Sequence, residues 1–200
     1  TYTNYLYVQL ISDFIKSEIG HRTNVIATVG SVALTVMACN ANPELFDQIA
    51  LINPDPLSLC GQVYGKNARL YKLTLFYHIA SSRRLLEEAF RERFFYNPYS
   101  AKPAYIDRYY EASHLGGCPK AIFSSMECGY TKCNISNALK KIDNSIFIIG
   151  GAEEPSIADT IDEYRHVNPA VEYALIPKTK HLPQLEQPEK VLNLLTIFFS

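Results

Sequence analysis

Three short segments carry the residue types that could do chemistry. Near the C-terminus stands His181-Leu-Pro-Gln-Leu-Glu186-Gln-Pro188, between the apolar run Val171 to Ile176 and a helical run from Val191 to Phe199. A histidine on a loop between a strand and the last helix is placed to act as a general base, held by scaffold on one side and open on the other. Gly150-Gly151-Ala-Glu153-Glu154-Pro155 follows another apolar run, Ser145 to Ile149, and offers two carboxylates that could orient a histidine and stabilise its cation. The third segment is Val25-Ile-Ala-Thr-Val29-Gly30-Ser31-Val32-Ala33, a β-branched strand turning directly into a helix. A serine at such a turn can present its hydroxyl to a ligand. The bland alternatives are a helix-capping Ser31, two surface acids and a packed loop histidine.

Composition limits the rest. Two hundred residues that are 48% hydrophobic suit a single sizeable core. A net charge of −1 argues against nucleic acid as a partner. Arg83, Arg84, Arg91 and Arg93 interleave with Glu87, Glu88 and Glu92, as on a solvated helix face. Five cysteines, at 39, 60, 118, 128 and 133, form no Cys-x-x-Cys motif and point to reduced thiols in a cytoplasmic protein. Cys128 and Cys133 are too loosely spaced, with no histidine beside them, to make a metal site. No apolar run reaches the length of about 18 residues that a membrane helix needs, so no membrane partner is expected. The chain starts Thr1-Tyr-Thr-Asn, without methionine or signal pattern, and is expected to be a piece of a longer protein.

The elements that must position the three segments read as follows. Tyr5 to Ile19 is helical, with Gly20 as its C-cap. Asn24 to Val29 is a buried strand, Ser31 to Asn40 a helix, and Phe46 to Ile52 a strand stopped by Pro54. Residues 57 to 115 carry no strand signal. Aromatic and aliphatic residues recur there at helical spacing through Tyr71, Leu75, Phe76 and Ile79, then Leu85, Leu86, Phe90 and Phe94, broken at Pro98 and Pro103 before a helix over Tyr105 to Ser113. A short helix from Ile135 to Ile142, the strand at Ser145, a helix over Ile157 to Asn168, the strand at Val171 and a last helix from Glu189 complete the chain. Such alternation specifies a parallel α/β sheet flanked by helices. Ser31, Glu154 and His181 then each follow a strand, and converge at its carboxyl edge.

The chain resembles the C-terminal two-thirds of an α/β-hydrolase. The likeness rests on the Val25–Ala33 elbow, on Phe46 to Pro54, on Ala138 to Ile142 before Ile146 to Pro155, and on His181 to Pro188. It implies an α/β-hydrolase core at 1–56 and 118–200 and a helical cap at 57–117. It further implies a Ser31–His181–Glu154 triad, with the backbone N–H of Val32 as oxyanion donor and His114 and Tyr110 lining the pocket. On that reading the protein hydrolyses a small hydrophobic ester or related acyl compound, without cofactor. Two departures stand out: the family's Gly-x-Ser-x-Gly is written here Val29-Gly-Ser31-Val-Ala33, and no His-Gly oxyanion loop precedes the elbow. They keep alive a rival class, a non-catalytic α/β-hydrolase-like binding protein, and a third option, a lyase working through His181. A sheet lacking its upstream strands would expose an edge and favour a homodimer.

Overall fold

The structure is a computed structural model and describes residues 2–57, 77–79, 81–127 and 134–200. The expected helical stretch through Tyr71, Leu75 and Phe76, and Cys60, Cys128 and Cys133, lie outside the described residues. Helix α1 (Asn4–Phe14) begins where the Thr3 hydroxyl accepts the Leu6 N–H, and runs on through a π-helical turn over Ile15–Ile19. Gly20 closes it with φ 74, a left-handed C-cap that costs glycine nothing. Strand β1 (Thr23–Thr28) leads into α2 (Ser31–Ala41), whose small and branched residues bury almost all round. Strand β2 (Phe46–Ile52) follows.

Among the described residues the polypeptide between β2 and the next strand carries helices joined by short loops, and no strand. Helix α3 (Arg83–Ala89) continues as a π-helical turn over Phe90–Phe94. Asn97 then caps a single 3-10 turn at Pro98–Ser100. Pro103, expected as a break, is the first residue of α4 (Pro103–Ser113), where its absent N–H is no loss. Helices α5 (Cys118–Glu127) and α6 (Ile135–Leu139) complete this stretch, α5 without having been read from the sequence. Strand β3 (Ile146–Gly151), α7 (Ile157–Val167), β4 (Glu172–Ile176), the single turn α8 (Pro183–Glu186) and α9 (Pro188–Phe198) end the chain.

The four strands pair in chain order, β1-β2-β3-β4, all parallel. Ile26, Ala50 and Phe147 lie in one row, as do Ala27, Leu51 and Ile148. Because side chains alternate across a strand, the two faces feed different cores. Ile49, Leu51, Ile146 and Ile148 pack with α1, α2, α6 and α7, while Ile52, Phe147, Ile149 and Ile176 pack with Val191 and Phe198 of α9. Cys39 is wholly buried in the first core, and burial pushes its thiol up to about 12. A third cluster joins Phe90, Phe95, Ala101 and Ile106 of the helical stretch to Leu182, the residue after His181. The part of that stretch from Phe90 to Ile106 is therefore packed onto the histidine loop. Among the described residues no helix is long and apolar enough to cross a membrane.

Candidate active site

All the segments singled out for chemistry lie at the carboxyl ends of the parallel strands. Gly151 ends β3, and Ala152 and Glu153 turn away while bonded to the end of β4 and the loop beyond it, through Ala152 N–H to the Ile176 carbonyl (3.0 Å) and Glu153 N–H to the Thr179 carbonyl (2.9 Å). Those rungs bring Glu154 beside His181. Oε2 of Glu154 stands 3.6 Å from Nδ1 of His181, an ion-pair distance longer than a hydrogen bond. That oxygen is buried and has no hydrogen-bond partner among the described residues, so the imidazole is what offsets its lost hydration. With Nδ1 turned to the carboxylate, Nε2 is the nitrogen left to exchange protons with a ligand. Of the two acids read from the sequence, Glu154 faces His181. The Oε1 of Glu153 instead accepts the Lys178 N–H at 3.4 Å.

The helical stretch grips the same histidine. The Phe94 carbonyl accepts the N–H groups of His181 (3.0 Å) and Leu182 (3.3 Å), and the Phe94 ring stacks on the imidazole with centroids 5.2 Å apart. Glu186 adds a second tie, its two oxygens accepting the N–H groups of Lys180 (2.7 Å) and Tyr96 (2.8 Å). Nothing in the local pattern marks Phe94; its contact with His181 spans most of the second half of the chain. Asp55, just beyond β2, is also electrostatically coupled to His181. Burial pushes its carboxyl above the ordinary carboxylate range, and His181 acts against that shift. An Asp-Pro pair after a buried strand was the available signal for it.

The turn after β1 differs from the expected elbow. The residue in the left-handed region is Val29, with φ 46, not Ser31. A β-branched residue there is a true outlier, since its side chain crowds the backbone. Ser31 is the first residue of α2, exposed, and its Oγ accepts the Thr28 N–H (2.9 Å) while donating to the Thr28 carbonyl (2.7 Å). In a strand-to-helix nucleophile turn the strained residue is the one at the apex. The strain thus moves the pattern two residues back, to Ala27-Thr28-Val29-Gly30-Ser31, with valine at the apex. No hydrogen bond between Ser31 and His181 is present among the described residues. The Val32 N–H donates to the Val29 carbonyl (3.1 Å), closing the turn, and the amide that follows the apex is that of Gly30.

His114 and Tyr110 lie together at the end of α4, with ring centroids 4.0 Å apart. The Nδ1 of His114 is 2.8 Å from the Tyr110 carbonyl and 3.0 Å from the Ser113 hydroxyl, and His114 is exposed. Among the described residues neither side chain has a hydrogen bond or ring contact with His181.

No protein-family model and no curated protein sequence matches the chain. Solved structures do. A meta-cleavage product hydrolase from Pseudomonas fluorescens superposes with a TM-score of 0.76 at 18% identity, over 100% of this chain and 72% of that one. A structure from a study of carboxylesterases of the thaumarchaeon Nitrososphaera gives 0.73 at 17%, over 100% and 72%. A bromoperoxidase from Bacillus anthracis gives 0.75 at 10%, over 99% and 74%. The resemblance seen in the sequence is therefore one of fold as well: the chain has the α/β-hydrolase fold.

Proposed function

We propose that this α/β-hydrolase-fold protein hydrolyses a small hydrophobic acyl compound, with His181 as general base, Glu154 orienting it, and water as the attacking nucleophile. The observation that carries this reading is the pairing of His181 Nδ1 with the buried Glu154 Oε2, taken together with a turn after β1 whose apex, Val29, has no nucleophilic atom. His181 Nε2 would take a proton from water as its oxygen bonds to the carbonyl carbon. The same proton would pass to the leaving alkoxide as the tetrahedral adduct collapses, so ester and water yield acid and alcohol. The helices within residues 57–117, α3 and α4, would serve as the cap, since Phe94 and Leu182 join them to the histidine loop. The apolar and aromatic content of those helices supports a small hydrophobic substrate, with His114 and Tyr110 as candidate contacts.

The covalent alternative keeps Ser31 as nucleophile and requires its Oγ to leave both Thr28 partners. The valine apex also favours a binding protein without catalysis. A panel of nitrophenyl acyl esters and a fluorophosphonate probe, applied to the wild type, Ser31→Ala and His181→Ala, separates the three. The water mechanism expects hydrolysis that survives Ser31→Ala, falls about a hundredfold or more in His181→Ala, and leaves no labelled adduct. Labelling abolished by Ser31→Ala would restore the serine triad. Binding of acyl compounds with no turnover in the wild type would establish the binding protein.

A further inference from the structure

We propose that Asn53 is the positioning residue of this site: a single buried carboxamide ties the acid loop to the histidine loop and sets the approach of Glu154 to His181. The inference rests on the general-base reading above for its kinetic arm, and stands on geometry for the rest.

Asn53 follows the last residue of β2 and is 3% exposed. Its φ of 43 lies in the left-handed region, where asparagine is among the few residues besides glycine that sit without great strain. That conformation turns the side chain across the strand ends. Its Oδ1 accepts the Gly151 N–H at 2.9 Å. Its Nδ2 donates to the Lys180 carbonyl at 2.7 Å and to the His181 carbonyl at 2.8 Å. Both donors and the acceptor of the amide are thus used, and each goes to one of the two loops that carry the Glu154–His181 pair. The backbone of Asn53 adds an N–H bond to the Ile149 carbonyl at 3.0 Å, which anchors the clamp to β3.

The two loops could not be joined as closely by another side chain. At Gly151 an added Cβ would fall 2.0 Å from the Lys180 oxygen, so the backbones are already in contact and the amide bridges them from the β2 side. Aspartate has the same shape and tolerates the same φ. It would nevertheless put a charge against the Lys180 and His181 carbonyls and supply no donor to either. Glycine tolerates the φ and removes the bridge altogether. Buried, with both donors and its acceptor engaged by backbone, Asn53 acts through where it holds His181.

The test compares Asn53→Asp and Asn53→Gly, alone and combined with Glu154→Gln, in the whole protein. Loosening a catalytic pair by an ångström or so costs on the order of a hundredfold. Each single variant is therefore expected to stay folded and lose roughly ten- to a hundredfold in kcat, with KM changed less than about twofold. Each double variant is expected to be no slower than Glu154→Gln alone, because the clamp has nothing left to align. In proton–nitrogen spectra at one fixed pH, the ring signals of His181 are expected to move in the single variants as they do in Glu154→Gln. Unchanged kcat and unmoved ring signals, or losses that multiply in the double variants, would overturn the proposal. So would failure of both variants to fold, which would make Asn53 a purely structural residue. If the wild type hydrolyses nothing, the functional reading fails by itself, and the ring signals still decide the role of Asn53.

Discussion

Replacing Gly151 by alanine tests the closeness of the acid and histidine loops most directly. The added Cβ would lie 2.0 Å from the Lys180 carbonyl oxygen and 2.8 Å from both the Lys180 carbonyl carbon and the Thr179 oxygen. All three atoms are backbone, so no side chain can swing aside. A carbon settles about 3.3 Å from a carbonyl oxygen, so the 2.0 Å approach forces the loops apart by about 1.3 Å along that line. Overpacking in a buried site costs about 3 kcal/mol at the upper end of its usual range. At 2–4 °C per kcal/mol for a chain of this size, the melting temperature should fall by roughly 6–12 °C. The same displacement would lengthen the 3.6 Å separation of Glu154 and His181, so any hydrolysis should fall by on the order of a hundredfold. Gly150→Ala is the matched control. There the new Cβ meets Ile157 Cγ1 at 2.5 Å and Leu175 Cδ2 at 2.9 Å, side-chain rather than backbone atoms, and a smaller loss of about 1–2 kcal/mol is expected. Thermal melts of both variants, with kinetics where turnover exists, make the comparison. A Gly151→Ala protein as stable as Gly150→Ala would refute the close approach, and with it the reason for a glycine at the end of β3.

Two further perturbations probe the same site. Glu186→Ala removes the acceptor shared by Lys180 N–H, in a part-buried bond, and Tyr96 N–H, in an exposed one; about 2 kcal/mol is expected, or roughly 4–8 °C in the melting temperature. A change under one degree would show that the carboxylate does not tie the histidine loop to the helices. For Asp55 the sign follows from its raised carboxyl: between the ordinary 3.8 and the raised folded value, the folded state binds more protons than the unfolded one. Stability associated with Asp55 is thus fully present below the ordinary value and declines as pH rises through the folded one. Asp55→Asn should therefore gain melting temperature over the wild type by more at pH 7 than at pH 3.5, and an equal difference at the two pH values would contradict the burial of that carboxyl.

Periodicity made most of the scaffold readable. Apolar spacing placed α1 with its Gly20 cap, the four strands and the flanking helices to within a few residues, because these patterns report which face of an element meets a core. Ser31, Glu154 and His181 each follow a strand, β1, β3 and β4, and so their segments lie at the carboxyl ends of the parallel sheet. The fold likeness bears out the α/β-hydrolase reading of the fold.

What the sequence alone determined was therefore the layered sheet and the loops at its carboxyl edge that carry the histidine and the two acids. Only the tertiary structure decided which residue bears the strain of the elbow, because the sign of φ at Val29 leaves no trace in hydrophobic spacing. It set Glu154 rather than Glu153 against His181, a choice that chain order leaves open between adjacent loop residues and that only the family resemblance had pointed to. It alone brought Asn53 and Phe94 to the histidine loop, across some 130 and 90 positions of chain, through backbone carbonyls and amides. Main-chain partners have no residue type, so a clamp built from them is invisible until the chain has folded.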